Sequence, residues 1–143
     1  MPLTRVYLPL TPADLTALAE GRAVGPAPRL AHAVTPAVGK PGLVTDEEEL
    51  EHAAWVAATE EAIAAADAAS RRRVVAAADV DAAVVVHPTS SDVPSRVEVA
   101  APIERRRIAS FHVDEEPGSS EPTDLLWYDV TELAAVRALV GQP

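Results

Sequence analysis

The chain of 143 residues carries 22 acidic against 12 basic residues, a formal net charge of -10 that repels phosphate backbones, so nucleic acid is not an expected partner. It contains no cysteine, which excludes disulfides, thiolate metal sites and Cys nucleophiles. Aromatic residues make up only 3%, so the core of what its length predicts to be one domain has to be built from Ala, Val and Leu.

Residues 1–10 lack a basic region followed by a long apolar stretch, so no signal peptide is expected. No apolar run approaches the ~18 residues of a membrane span. These features predict a cytoplasmic protein with no membrane partner. Residues 5–10 alternate and predict a first strand. Thr11 and Pro12 then open a helix, with Thr at the cap, Pro at the first helical position and Asp14 in the first turn. Leu15, Leu18 and Ala19 give this helix its apolar stripe, and Gly21 ends it. Residues 25–28 are a turn-rich link, and residues 29–35 read as a second strand weakened by Ala.

The dominant element predicted is a long alanine-rich helix over residues 45–73. Thr45 precedes Glu48 by three residues, the spacing of a capping box. Asp46, Glu47, Glu48 and Glu49 load the positive end of the helix dipole, and Arg71, Arg72 and Arg73 suit the other end. No Gly or Pro interrupts the run, and at ~1.5 Å per residue it spans roughly 35–40 Å. Trp55, Val56, Ala62, Ile63 and Ala66, with His52 and Thr59 among them, form a bulky arc expected to face the core. Leu50, Ala53, Ala57, Ala64 and Ala68 lie roughly opposite, interrupted by Glu61, as a flat arc suited to a sheet, a second helix or a partner chain.

Residues 73–80 are the most continuous apolar strand, which suits a central position in a sheet. Residues 82–87 extend it or form a short strand of their own. Residues 96–101 alternate until Pro102, residues 102–106 suit one helical turn, and residues 108–114 alternate again. Residues 115–123 are acidic and rich in Pro, Gly and Ser, the composition of a mobile loop. Leu125, Leu126, Trp127 and Tyr128 form a dense apolar patch. Thr131 starts a last helix with Leu133, Val136, Leu139 and Val140 inward. This order predicts a single α+β domain over residues 1–143. Its expected form is a two-layer sandwich: a mixed sheet of four or five strands, the first two crossovers joining neighbouring or near-neighbouring parallel strands, with helices mainly on one face.

Strand alternation places Val6, Leu8 and Leu10 opposite Arg5 and Tyr7, and places Val97 and Val99 opposite Arg96 and Glu98. Phe111 and Val113 likewise oppose His112 and Asp114. One sheet face is therefore expected to be polar and open. Arg5, Tyr7, His32, Arg96, His112 and Asp114, with Trp127 and Tyr128 at the rim, are its candidate binding residues. His112 and Asp114 lie on one side of a strand and could share a metal or act as a base and its orienter, but a metal needs a third ligand, which His32, Asp79 or Glu98 would have to supply. The chain has no Walker loop, no G-x-G-x-x-G, no G-x-S-x-G and no H-E-x-x-H, so no cofactor, catalytic residue or metal set is nominated.

Arg5-Val6-Tyr7-Leu8-Pro9-Leu10, His32-Ala33-Val34-Thr35-Pro36, the acidic run from Glu47 to Ala54, the strand from Arg72 to Val80 and Leu125-Leu126-Trp127-Tyr128 together resemble a family of short uncharacterised proteins from actinobacteria. The resemblance spans nearly the whole chain. It implies a soluble bacterial protein and brings no activity, cofactor or catalytic residue. The reading that follows is a non-enzymatic protein-association domain, as a homodimer or with another protein. The competing expectation is a small ligand- or metal-binding sensor or enzyme using His112 and Asp114.

Overall fold

The computed structural model describes residues 2–35, 47–66, 71–87, 93–119, 121 and 124–141. Among them run strands β1 (Leu3–Pro9), β2 (Arg29–His32), β3 (Val74–Asp81), β4 (Val85–Val86), β5 (Arg96–Val99), β6 (Ile108–Asp114) and β7 (Leu125–Asp129), with helices α1 (Pro12–Ala19), α2 (Glu47–Ala65) and α3 (Leu133–Val140). Short 3-10 turns occupy Ala82–Val84, Arg105–Arg107 and Val130–Glu132.

The α+β class holds, but the sheet is wholly antiparallel and has seven strands in the order β4-β5-β2-β1-β3-β6-β7, not a mixed set of four or five. Two short or unassigned apolar stretches supply the added strands, β4 and β7. The first expected parallel crossover fails because β2 runs antiparallel to β1 beside it. Residues 20–28 carry the chain back from α1, with Val24 bridging Ile103, so that β2 enters beside β1 in the opposite direction. The second crossover, through α2, does join two parallel strands, β2 and β3, near-neighbours with β1 between them.

Thr11 caps α1 as expected. Its hydroxyl accepts from the Asp14 amide at 3.2 Å while Asp14 Oδ2 accepts from the Thr11 amide at 2.8 Å. Asp14 then reaches Arg29 of β2, 2.9 Å from Nη1, and Arg29 also donates to the Pro9 carbonyl. Burial alone would raise the Asp14 carboxyl, but hydrogen bonds from Arg29 and Thr11 outweigh it and hold the group below its ordinary range. The last helix starts differently from expectation. Asp129, not Thr131, caps its 3-10 lead-in, in a box completed by Glu132.

Val6, Leu8, Ala76, Ala78, Phe111 and Val113 face α1 and α3, and their core closes on Leu15, Leu18, Leu133 and Val136. The opposite face is not open. There Val75 packs against Ala58 and Ala62 of α2, with Tyr7, Trp55 and Leu125 at the margin. The domain is thus three-layered where α2 lies, with two helices on one face and the longest on the other.

The described part of α2 ends at Ala65. Thr45 and Asp46 lie outside the described residues. Arg71, Arg72 and Arg73 do not close the helix but lead into β3, because Arg73 is drawn into the sheet by Asp114. The buried stripe of α2 is Ala54, Ala58, Thr59 and Ala62, while Ile63 is 55% exposed. The sheet therefore meets one side of the bulky arc, Trp55, Thr59 and Ala62, together with Ala54 and Ala58, which belonged to neither arc. No helix of the described residues is long and apolar enough to cross a membrane.

Because Ala58 is fully buried against Val75, Ala58→Leu is expected to destabilise the fold by ~1–3 kcal/mol through overpacking, and Ala53→Leu, on the exposed side of α2, by less than ~0.5 kcal/mol. Urea midpoints of the two variants check this.

Candidate functional site

The sheet face beneath α2 gathers most of the polar residues that alternation placed there. Cross-strand pairing sets Tyr7 beside His32, His32 beside Arg96, Arg5 beside Asp79 and His112 beside Trp127. α2 divides this face into a covered centre and a bare edge.

In the centre, His32 is wholly buried. Its Nδ1 is 2.8 Å from Ser95 Oγ, and its Nε2 is 3.0 Å from Glu61 Oε2, an ion-pair distance that lacks the alignment of a good hydrogen bond. The carboxylate favours the proton on Nε2, so Nδ1 accepts from the Ser95 hydroxyl. Arg96 donates to Glu61 Oε1 from Nε at 3.1 Å and from its terminal nitrogen. Burial alone would raise the Glu61 carboxyl; Arg96 first and then His32 reverse this and hold it below its ordinary value.

Serine, imidazole and carboxylate in sequence are the parts of an activated nucleophile. Here Ser95 is 3% exposed and His32 0%, so no substrate atom reaches Oγ. The chain works as a polar strut that fastens α2 to β2 and β5. Glu61 was visible in the sequence only as a charge interrupting an alanine arc; Ser95 gave no signal.

Near β6 the arrangement is aromatic. Tyr7 meets Trp55 edge-on, with ring centroids 5.9 Å apart at 76°, and Trp55 meets His112 at 4.5 Å and 62°. Burial first and the Glu51 charge second raise the Tyr7 phenol. Burial first and the Arg5 charge second lower His112 to about 4, so its imidazole is neutral at pH 7 and its Nε2 lies 2.9 Å from Ser110 Oγ. Arg5 forks onto Asp79 at 2.7 and 2.9 Å at the exposed margin.

His112 and Asp114 share a side of β6 but turn to different partners. Asp114, fully buried, accepts from the Arg73 amide, Nε and Nη2, each at 2.8 Å. Arg73 also donates to the Glu121 carbonyl, and the Gly118 amide donates to the Arg71 carbonyl. The β6–β7 connection is thereby pinned to the start of β3. Among the described residues no three His, Asp or Glu side chains converge as metal ligands. A groove of ≈ 440 Å³ between α1 and α3, lined by Leu15, Thr16, Ala134, Arg137 and Val140, lies on the opposite face from His32 and His112.

Trp127 and Tyr128 part company. Tyr128 packs against the main core, whereas Trp127 is 63% exposed and its neighbour Leu126 40%, both on the outermost strand. These are the large apolar side chains that β7 leaves in water.

A family model described as a family of unknown function (DUF6912) matches residues 4–136. No curated protein and no solved structure matches the chain.

Asp114→Ala strands a buried guanidinium and is expected to cost ~3–5 kcal/mol, while Arg73→Met with Asp114→Leu recovers most of that loss; denaturant titrations decide. His112 binds protons more weakly folded than unfolded. Its contribution to stability is full above pH ~6.5 and is lost as the pH falls toward about 4. His112→Gln should flatten the stability profile over that window, by roughly 1–3 kcal/mol at its acid end.

Proposed function

The chain belongs to the family of unknown function (DUF6912), and from its geometry we propose that it is a protein-association domain that docks through the β7 edge. The observation that carries this reading is the pair Leu126 and Trp127, 40% and 63% exposed, on a terminal strand. Trp is the residue that most often anchors interfaces, and an edge strand offers unpaired backbone groups to another chain. Elsewhere on the face that carries Trp127 the polar groups are turned inward: His32, Arg96 and Asp114 are spent on Glu61, Ser95 and Arg73, which fits a scaffold better than a reaction centre. An actinobacterial origin fits the bias toward Ala, Arg and Val with Lys40 as the one lysine, which suggests a GC-rich genome.

Trp127→Asp should leave the urea midpoint within ~0.5 kcal/mol of wild type, since the side chain is largely in water. The immobilised wild-type chain should retain from a bacterial lysate a protein in near-stoichiometric amount that the Trp127→Asp chain does not. Identical recovery by both would contradict the reading.

A further inference from the structure

The identity of the occupant can be taken further, on the premise that β7 is a docking edge. We infer that β7 takes up, as an eighth strand, an extended segment of another protein in which apolar residues alternate with Lys or Arg, and that a second copy of this chain does not fit there.

Backbone pairing defines the open groups. The Glu115 amide donates to the Asp124 carbonyl, so by the alternation of an antiparallel ladder Leu126 and Tyr128 bond inward to β6, while Leu125, Trp127 and Asp129 point outward. The Asp129 amide is already taken by Glu132 Oε1 at 3.1 Å. Among the described residues the amides and carbonyls of Leu125 and Trp127 have no strand partner, a template for an added strand.

The charge that the β7 hairpin itself contributes has one sign, and the exposed cation set against it, Arg105, is turned to the Val130 carbonyl at 3.2 Å. From residue 115 to residue 132 the chain carries Glu115, Glu116, Glu121, Asp124, Asp129 and Glu132 and no Lys or Arg. Hydrogen bonds from Thr131, side chain first and then backbone, hold the Asp129 carboxyl below its ordinary value, so it stays ionised. In a symmetric antiparallel pair centred on Trp127, Asp129 of one copy falls opposite Leu125 of the other and next to its Asp124, at both ends of the ladder. A parallel pair in register sets each acid against itself. Like charges directly opposed oppose pairing, and the net -10 of each copy adds to the repulsion.

A strand bearing cations relieves this. On the α2 side, a Lys or Arg beside Trp127 would lay its stem and charge over the indole, and another would meet Asp129. On the α3 side, an apolar residue would cover Leu126.

The probe is a fluorescently labelled nine-residue peptide of alternating Val and Lys, titrated against the full chain and followed by anisotropy at low and high salt. Its comparisons are the same peptide N-methylated at alternate residues and a Val–Glu peptide; light scattering of the chain alone gives its mass. We expect the Val–Lys peptide to bind, Trp127→Ala and N-methylation each to weaken it about tenfold, and high salt to weaken it further. The N-methylated peptide tests backbone pairing without altering the protein. Equal binding of the methylated or the acidic peptide would overturn the inference. A dimer that Trp127→Ala dissolves would overturn the basic occupant and keep the association reading. A monomer that binds no peptide, with lysate recovery unchanged by Trp127→Asp, would overturn both.

Discussion

The low seating of α2 on the sheet is the constraint from which the rest of this structure follows. Ala54, Ala58 and Ala62 are each fully buried, and Val75 and Ala77 lie beneath them, so helix and strands meet across small side chains. That closeness brings the Glu61 carboxylate down to His32 and Arg96, groups that an open sheet would have left in water. It also sets Trp55 between Tyr7 and His112. A single helix covers only the middle of a seven-stranded sheet. The same placement that buries the polar centre stops short of Trp127 on β7, which stays 63% exposed.

What looked like a site in the sequence is largely a fastening. Buried charge is tolerated here because each group is answered: Asp114 by three donors of Arg73, Glu61 by Arg96 and His32, Asp14 by Arg29 and its own cap. Such pairs hold elements in place more than they add stability, and each one joins segments distant in sequence. Arg73 of this pair also ties down the hairpin that presents β7 through the Glu121 carbonyl, as the Arg71 carbonyl does through the Gly118 amide. Structural polarity in the centre and exposed apolarity at the edge are two ends of one arrangement.

The legible parts of the fold were local. The Thr11 cap with Asp14, the alternation through residues 5–10 and 108–114 and the apolar run of β3 announced themselves, because cap chemistry and period-two patterns depend on neighbours in sequence. Strand order did not, since it depends on where residues 20–28 lead the chain, which no periodicity encodes. The buried arc of α2 was read only in part: Thr59 and Ala62 of the bulky arc are buried and Trp55 lies at their margin, but Ala54 and Ala58 complete the stripe and Ile63 turns to water. Of the candidate binding residues, Tyr7, His32, Arg96 and His112 do meet one face. Their partners Glu61 and Ser95 were not foreseen, being contributed by a helix and a loop whose approach is set by tertiary packing. Trp127 was recognised as a rim residue, but its strand and its place at the sheet's end were not.

Amide hydrogen exchange of β7, resolved by residue with NMR, tests most directly the claim that the outer edge of this sheet is open. The account predicts protected amides at Leu126 and Tyr128, bonded to β6, and fast exchange at Leu125 and Trp127, which face outward. Protection at all four in a monomeric sample would mean that the edge is already covered, and would contradict it.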